Sequence, residues 1–171
     1  MDKGDLKNIL VYLPFEDQKL LQDLLVALPE FIFTIYSQDL YDHDNGNLKL
    51  RKASHDKFKS DLVSTDAVIC GSGFELISEC LHLGLPILTK PQAGQMEQQS
   101  NAAALEQLQY ATVFTKLDPH VIQYWCNRIS EKNTEIKLPD VAAFIVDWIC
   151  REQHKDISEV SHELWSQIIH S

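Results

Sequence analysis

Apolar and polar positions switch repeatedly between two periods along this chain, and the switching predicts a β/α succession. Asn8 to Leu13 (N-I-L-V-Y-L) is a nearly continuous apolar run, as in a strand covered on both faces. From about Gln18 to Ala27 the pattern turns helical, with Leu20, Leu21, Leu24, Leu25 and Leu28 apolar. Phe31 to Tyr36 (F-I-F-T-I-Y) is β-branched and aromatic and predicts a second strand. Asn47 to Lys52 alternates, as a short strand nearer the sheet edge does, and Ser54 is placed to cap a helix from His55 to about Val63. The acidic stretch between them, D-L-Y-D-H-D-N-G-N, reads as a polar turn, because it lacks the glutamate and regular ligand spacing of a calcium loop.

The centre of the pattern is Asp66 to Asn101. Ala67 to Cys70 is a core strand that ends in Gly71-Ser72-Gly73. A helix follows with Leu76, Ile77, Cys80, Leu81 and Gly84 inward and Glu75, Ser78, Glu79 and His82 on the opposite stripe. Gly84 stops it and Pro86 prevents resumption. Ile87 to Thr89 is another strand, and Pro91 to Gly94 loops into a helix that opens with Gln95 and finishes near Gln109. Ala111 to Phe114 is the last strand, and Asp118-Pro119 starts a helix with Val121, Ile122, Trp125 and Ile129 on one face. Lys132 to Leu138 reads as a linker, Asp140 opens a helix, and Ser158 to His170 reads as a final one. Trp165 is a candidate docking residue rather than core. The sum is an α/β chain: a three-layer α/β/α Rossmann-like domain with a mostly parallel sheet of about six strands, plus C-terminal helices. Residues 1–171 are read as one domain, with a core from about 8 to 129 and C-terminal helices from about 140 to 170.

Chemistry gathers at one strand end. Gly71 and Gly73 let the backbone approach a ligand closely, and the next helix aims its positive end at the same spot, an anion site in outline. Gln98 and Gln99 both donate and accept, which suits sugar hydroxyls. Glu79 alone would be a solvated helix residue; the hinge before it and the Gln pair after it make it a candidate ribose ligand. His82, one turn further from the strand end, reads as structural, and the scattered histidines form no metal cluster.

Charge narrows the class. The 171 residues carry a formal net charge of −10 with no basic stripe, so nucleic acid is a poor partner and any diphosphate must be held locally. The four cysteines, Cys70, Cys80, Cys126 and Cys150, contain no C-x-x-C and read as reduced thiols of a cytosolic protein. No apolar run approaches the ~18 residues of a membrane span, and the N-terminus lacks a signal peptide's apolar core, which predicts a cytoplasmic chain.

Ser72-Gly73, Ser78-Glu79, Gly84-Leu85-Pro86, Pro91 and Gln98-Gln99 resemble the donor-sugar signature of the two-domain (GT-B) glycosyltransferases. The pattern is most similar to the family 28 group, which includes the N-acetylglucosaminyltransferase of cell-wall lipid II synthesis and the diacylglycerol galactosyltransferases. G-F-E-L-I-S-E followed by G-Q-M-E-Q-Q-S-N-A-A-A-L-E resembles a bacterial and archaeal branch of predicted glycosyltransferases. The resemblance implies the C-terminal, UDP-sugar-binding half of an inverting transferase acting on a lipid or envelope glycan. Donor-binding positions would be Gly71, Ser72, Gly73, Ser78, Glu79, Gln98 and Gln99, with the backbone of the Ala53-Ser54-His55 turn near the uracil. No cofactor or metal beyond the UDP-sugar is implied. The acceptor half and its base would be absent from this chain, and contact with the inner membrane face would run through that half. The first loop, Leu13 to Glu16, departs from the family in having no glycine, which shifts phosphate contact to Gly71-Ser72-Gly73; Glu16 would repel a pyrophosphate unless turned outward. A natural half-enzyme with a partner chain, a nucleotide-sugar sensor and an epimerase are the alternatives.

Overall fold

The computed structural model describes residues 6–129, 136–137, 139–150, 156–166 and 169–170. The chain divides into two compact units, Met1–Asn133 and Thr134–Ser171. The first holds a seven-stranded sheet built from β1 (Asn8–Tyr12), β2 (Ile32–Ser37), β3 (His43–Asn45), β4 (Leu48–Lys52), β5 (Ala67–Gly71), β6 (Ile87–Lys90) and β7 (Thr112–Val113), in the order β3-β4-β2-β1-β5-β6-β7. Every pairing is parallel except β3 with β4.

Two apolar clusters sandwich the sheet because the strands alternate. Ile9, Val11, Phe33, Ile35, Ile69 and Leu88 face α1 (Gln18–Val26) and α5 (Pro119–Asn127) through Leu21, Leu25, Ile122 and Trp125. Leu10, Tyr36, Val68, Cys70 and Ile87 face α2 (His55–Ser64), α3 (Phe74–His82) and α4 (Met96–Gln107) through Leu62, Ile77, Cys80 and Leu105. The fold is therefore the expected α/β one, with helices on both faces of a mostly parallel sheet. The chain runs outward from β1 through β2 to β4, then returns to lay β5 on the other side of β1, so the β1/β5 junction is the switch point where such sheets bind ligands.

Local chemistry sets the element ends. Asp17 and Asp118 cap α1 and α5, their side chains accepting from the N–H of Leu20 and of His120. Helix α3 ends in a Schellman turn: Gly84 has φ 63°, its N–H donates to Leu81 O, and Leu85 N–H donates to Cys80 O at 2.9 Å. Helix α4 ends in the same turn, with Tyr110 N–H on Leu105 O, but Gln109 holds the left-handed position at φ 58°. Ser54 stands at the N-cap of α2 as expected, yet its side chain makes no capping bond.

The expected polar turn before β4 contains a strand, which makes seven where about six were expected. Gly46 at φ 60° reverses the chain, and the side chain of Asn47 donates to the carbonyls of Leu25, Leu28 and Phe31. β3 is exposed throughout, so no apolar alternation advertised it.

In the second unit, Ile136–Lys137 (β8) pairs antiparallel with Ile169–His170 (β9). Helix α6 spans Val141–Cys150, and α7 spans Ile157–Trp165 with Asp156 as its cap. The helix expected to run to His170 stops at Trp165, and β8 falls inside the expected linker, most of which lies outside the described residues. Two-residue strands paired across the length of the unit leave no periodicity to read. Trp165 is half exposed.

Candidate functional site

Two clefts meet at the C-terminal ends of the central strands and share Tyr12, Glu75 and Leu76. The smaller, about 350 Å³, is completed by Ala53, Ser54, His55, Phe58, Lys59 and Glu79. The larger, about 720 Å³, runs over Pro14, Phe15, Gly71, Gly73, Phe74 and Gln98. Both open beside the β1/β5 switch point, because Tyr12 ends β1 and Gly71 ends β5.

The smaller cleft has an aromatic wall. The rings of Tyr12 and Phe58 meet edge-on at 5.6 Å, and Phe58 meets Tyr36 at 5.0 Å. Tyr36 is held from below by a 2.7 Å hydrogen bond to Asp61; burial, then the Asp61 carboxylate, pushes its phenol well above the usual range. Glu79 is half-buried on α3 and faces this cleft, and no hydrogen bond or ion pair among the described residues engages its carboxylate. An ionised carboxylate so placed can accept from two hydroxyls of a ligand. His55 is exposed at the start of α2, 3.3 Å from Asp56.

The glycine hinge is open, but for an unexpected reason. Gly73 has φ −68°, which any residue adopts, and a Cβ there would meet nothing within 4 Å. At Gly71 a Cβ would sit 3.5 Å from Gln98 Oε1, ordinary contact. Neither glycine is demanded by the turn. What the missing side chains leave is room over the backbone N–H groups at the start of α3.

Other expected site residues turn inward. Ser72 is fully buried: its hydroxyl lies 2.8 Å from that of Thr89, and its carbonyl accepts from Asn101 Nδ2 at 3.0 Å. It is scaffold for the hinge. Gln98 is engaged at both ends, Oε1 accepting from Gln92 N–H and Nε2 donating to Gln95 Oε1, which ties the β6–α4 loop to its helix. Gln99 is exposed and lines neither cleft, and Ser78 donates to Glu75 O within its own helix. The structure thus brings Glu79 and His55 to the smaller cleft and Gly71, Gly73 and Gln98 to the adjoining larger one, and leaves Ser72, Ser78 and Gln99 outside both.

The sequence reading missed Tyr12, Phe58, Asn101 and Lys90. Lys90 ends β6 and pairs with Glu16 at 2.5 Å, bridging that strand to the glycine-free first loop. Glu16 is therefore paired with a cation here. The aromatic pair was visible only as core-forming residues, whereas a lysine directly after an apolar strand was a signal available to be used. Of the cysteines, burial pushes the Cys70 and Cys126 thiols up to about 12 and raises Cys80 further, so all three are protonated bystanders. Among the described residues, no acid, cysteine and histidine cluster is arranged to hold a metal ion, and no helix is long and apolar enough to cross a membrane.

Comparison with known proteins bears on this geometry. Residues 2–130 match the family described as glycosyl transferase family 1. The chain belongs to that family. An uncharacterized glycosyltransferase of Methanosarcina acetivorans is 40% identical over 65 residues, which span 38% of this chain but 17% of that protein. The glycosyltransferase of kitacinnamycin superposes with a TM-score of 0.59 at 20% identity, over 72% of this chain and 34% of its own. The Streptomyces glycosyltransferase SsfS6, solved with thymidine diphosphate, gives 0.55 at 16% identity, over 74% of this chain and 33% of its own. MurG of Acinetobacter baumannii gives 0.52 at 19% identity, over 76% and 43%. The family's fold here is that of a GT-B glycosyltransferase domain, and the chain spans less than half the length of these relatives.

Proposed function

We propose that this chain is the donor-binding half of an inverting, GT-B glycosyltransferase near the family 28 group, and that its donor is a UDP-sugar. The observation that carries this is the placing, at the switch point, of an unengaged carboxylate (Glu79) and the open backbone of Gly71 and Gly73 in two adjoining clefts that share Tyr12, Glu75 and Leu76. Glu79 would accept from the ribose hydroxyls, the Tyr12–Phe58 wall and the Ala53–His55 turn would flank the base, and the diphosphate would lie over the hinge. The domain's catalytic contribution would be to orient the donor and to stabilise charge on the departing diphosphate with backbone N–H groups at the start of α3. The general base would belong to an acceptor-binding half, which we place at the inner membrane face with a lipid or envelope glycan as acceptor. This chain alone then transfers no sugar, because the reaction needs closure of the two halves around it.

Titration calorimetry with UDP, UDP-N-acetylglucosamine, UDP-glucose, UDP-galactose and thymidine diphosphate tests the donor. Heat for a uridine nucleotide supports the reading; silence for every one of them at millimolar concentration overturns it. Incubating the 171-residue chain with radiolabelled UDP-sugars and a membrane lipid extract tests the division of labour. Glycosylated product from that chain alone would place the base within it.

A further inference from the structure

The donor-binding reading leaves a question of charge. The chain has a formal net charge of −10, and the two clefts are lined by Asp39, Glu75, Glu79 and Glu97 against Lys59. A nucleoside diphosphate entering this field needs a cation close to its phosphates, and backbone dipoles alone offer only partial charges. Lys90 lines neither cleft, but its backbone borders the hinge. In the β5–β6 ladder it is the register partner of Gly71, and its carbonyl lies 3.9 Å from where a Gly71 Cβ would stand. Its ammonium, however, is bound 2.5 Å from Glu16 Oε1, with side-chain exposures of 12% for Lys90 and 23% for Glu16.

A largely desolvated ion pair adds little to stability, since the attraction is offset by the loss of hydration. Its surroundings are also incompletely satisfied. Among the described residues, the buried side-chain polar atoms without a partner are Gln18 Oε1 and Gln92 Oε1. Gln18 opens α1 just after the loop of Glu16 and donates to the Glu16 carbonyl at 3.0 Å, and Gln92 lies two residues beyond Lys90. Each partner of the pair thus has, within two residues along the chain, a buried amide with an acceptor oxygen to spare.

We propose that Lys90 is the cation that binds the donor diphosphate, and that Glu16 holds it in the ligand-free state. This rests on the donor-binding reading and adds to it a binding residue and an internal competitor. On donor entry the ammonium turns from the Glu16 carboxylate to the more highly charged diphosphate beside Gly71. Glu16 is released, and with it the loop that contributes Pro14 and Phe15 to the larger cleft. Competition with Glu16 lowers the apparent diphosphate affinity, because only the fraction of molecules with a free ammonium is competent.

The test is calorimetric titration of the 171-residue chain and its variants with UDP and, separately, with uridine, which lacks the phosphates. Lys90→Met is expected to weaken UDP binding about tenfold or more, the worth of a charged hydrogen bond, and to leave uridine binding unchanged. Glu16→Gln is expected to strengthen UDP binding by about threefold or more, again without effect on uridine. The double variant should still bind UDP more weakly than the parent, since without Lys90 there is no ammonium for the loss of Glu16 to release. Thermal unfolding checks that each variant is folded; should Lys90→Met not fold, Glu16→Gln decides, because a carboxylate that merely braces the loop would weaken binding when neutralised. UDP bound equally well by parent and Lys90→Met, or more weakly by Glu16→Gln, overturns the proposal while the donor reading stands. A parent that binds neither UDP nor uridine overturns both.

Discussion

The two sides of the cleft are built differently. On the α2–α3 side, Glu79 is unengaged and the Tyr12–Phe58 wall is already in place, so a ligand would meet finished groups. On the β6–α4 side several polar groups are committed to one another: Ser72 to Thr89, Asn101 to Ser72, Gln98 to Gln92 and Gln95, Lys90 to Glu16. The first side is preorganised and the second is knotted. Substitutions on the open side should therefore change binding without changing stability, and substitutions within the knot should do the reverse, unless the group is one the ligand borrows.

The largest expected effect is at the border between them. Gly73→Val fills the space over the hinge, and losing two charge-assisted hydrogen bonds of about 1.5 kcal/mol each would weaken UDP binding by about 3 kcal/mol. Stability should stay within about 0.5 kcal/mol, because φ −68° suits a side chain and a Cβ there would meet nothing within 4 Å. Calorimetry and urea unfolding on one sample measure both; unchanged UDP affinity would mean that the space is not the ligand's.

On the open side, Glu79→Gln is expected to weaken UDP by about 1.5–3 kcal/mol with no shift in the urea midpoint. Equal binding by the variant would return Glu79 to an ordinary surface residue. In the knot, Thr89→Val keeps the shape but leaves the buried Ser72 hydroxyl without its partner, at a cost of about 1–3 kcal/mol in stability. A Thr89→Val protein as stable as the parent would show that the hinge needs no such brace.

The smallest effect is expected far from both sides. Gln109 holds a left-handed conformation at the end of α4, so Gln109→Gly should stabilise the chain by about 0.5–1 kcal/mol and leave UDP affinity alone. A loss of stability would mean that the Gln109 side chain contributes more than its backbone conformation costs.

The contrast between the two sides also marks how far the sequence could be read. Glu79 and Gly73 were legible because they stand on a helix stripe and in a hinge, local features whose period and composition show in the sequence. The partners of Ser72 and Gln98 were not legible, because polarity in a sequence does not say whether a partner is waiting. A Ser hydroxyl 17 residues from its Thr partner, and an amide satisfied by its own loop, look the same on paper as groups free for a ligand. Lys90 escaped notice for the converse reason: its importance comes from Glu16, on a loop 74 residues earlier in the chain.

By itself the sequence determined the α/β class, the order of the buried strands and most helix ends, since burial on both faces and capping are written in neighbouring residues. Gly84 stopping α3 and Asp118 capping α5 are of this kind. Only the tertiary structure decided that β5 returns to the side of β1, which is what brings Tyr12, Gly71 and Glu79 to one opening. It alone decided as well that exposed β3 joins the sheet, that His170 lies in a strand rather than a helix, and which polar groups are spent on each other. The physical reason is common to all of these. Strand pairing and side-chain hydrogen bonds join residues far apart in the chain, and their energies depend on a meeting that no local pattern records.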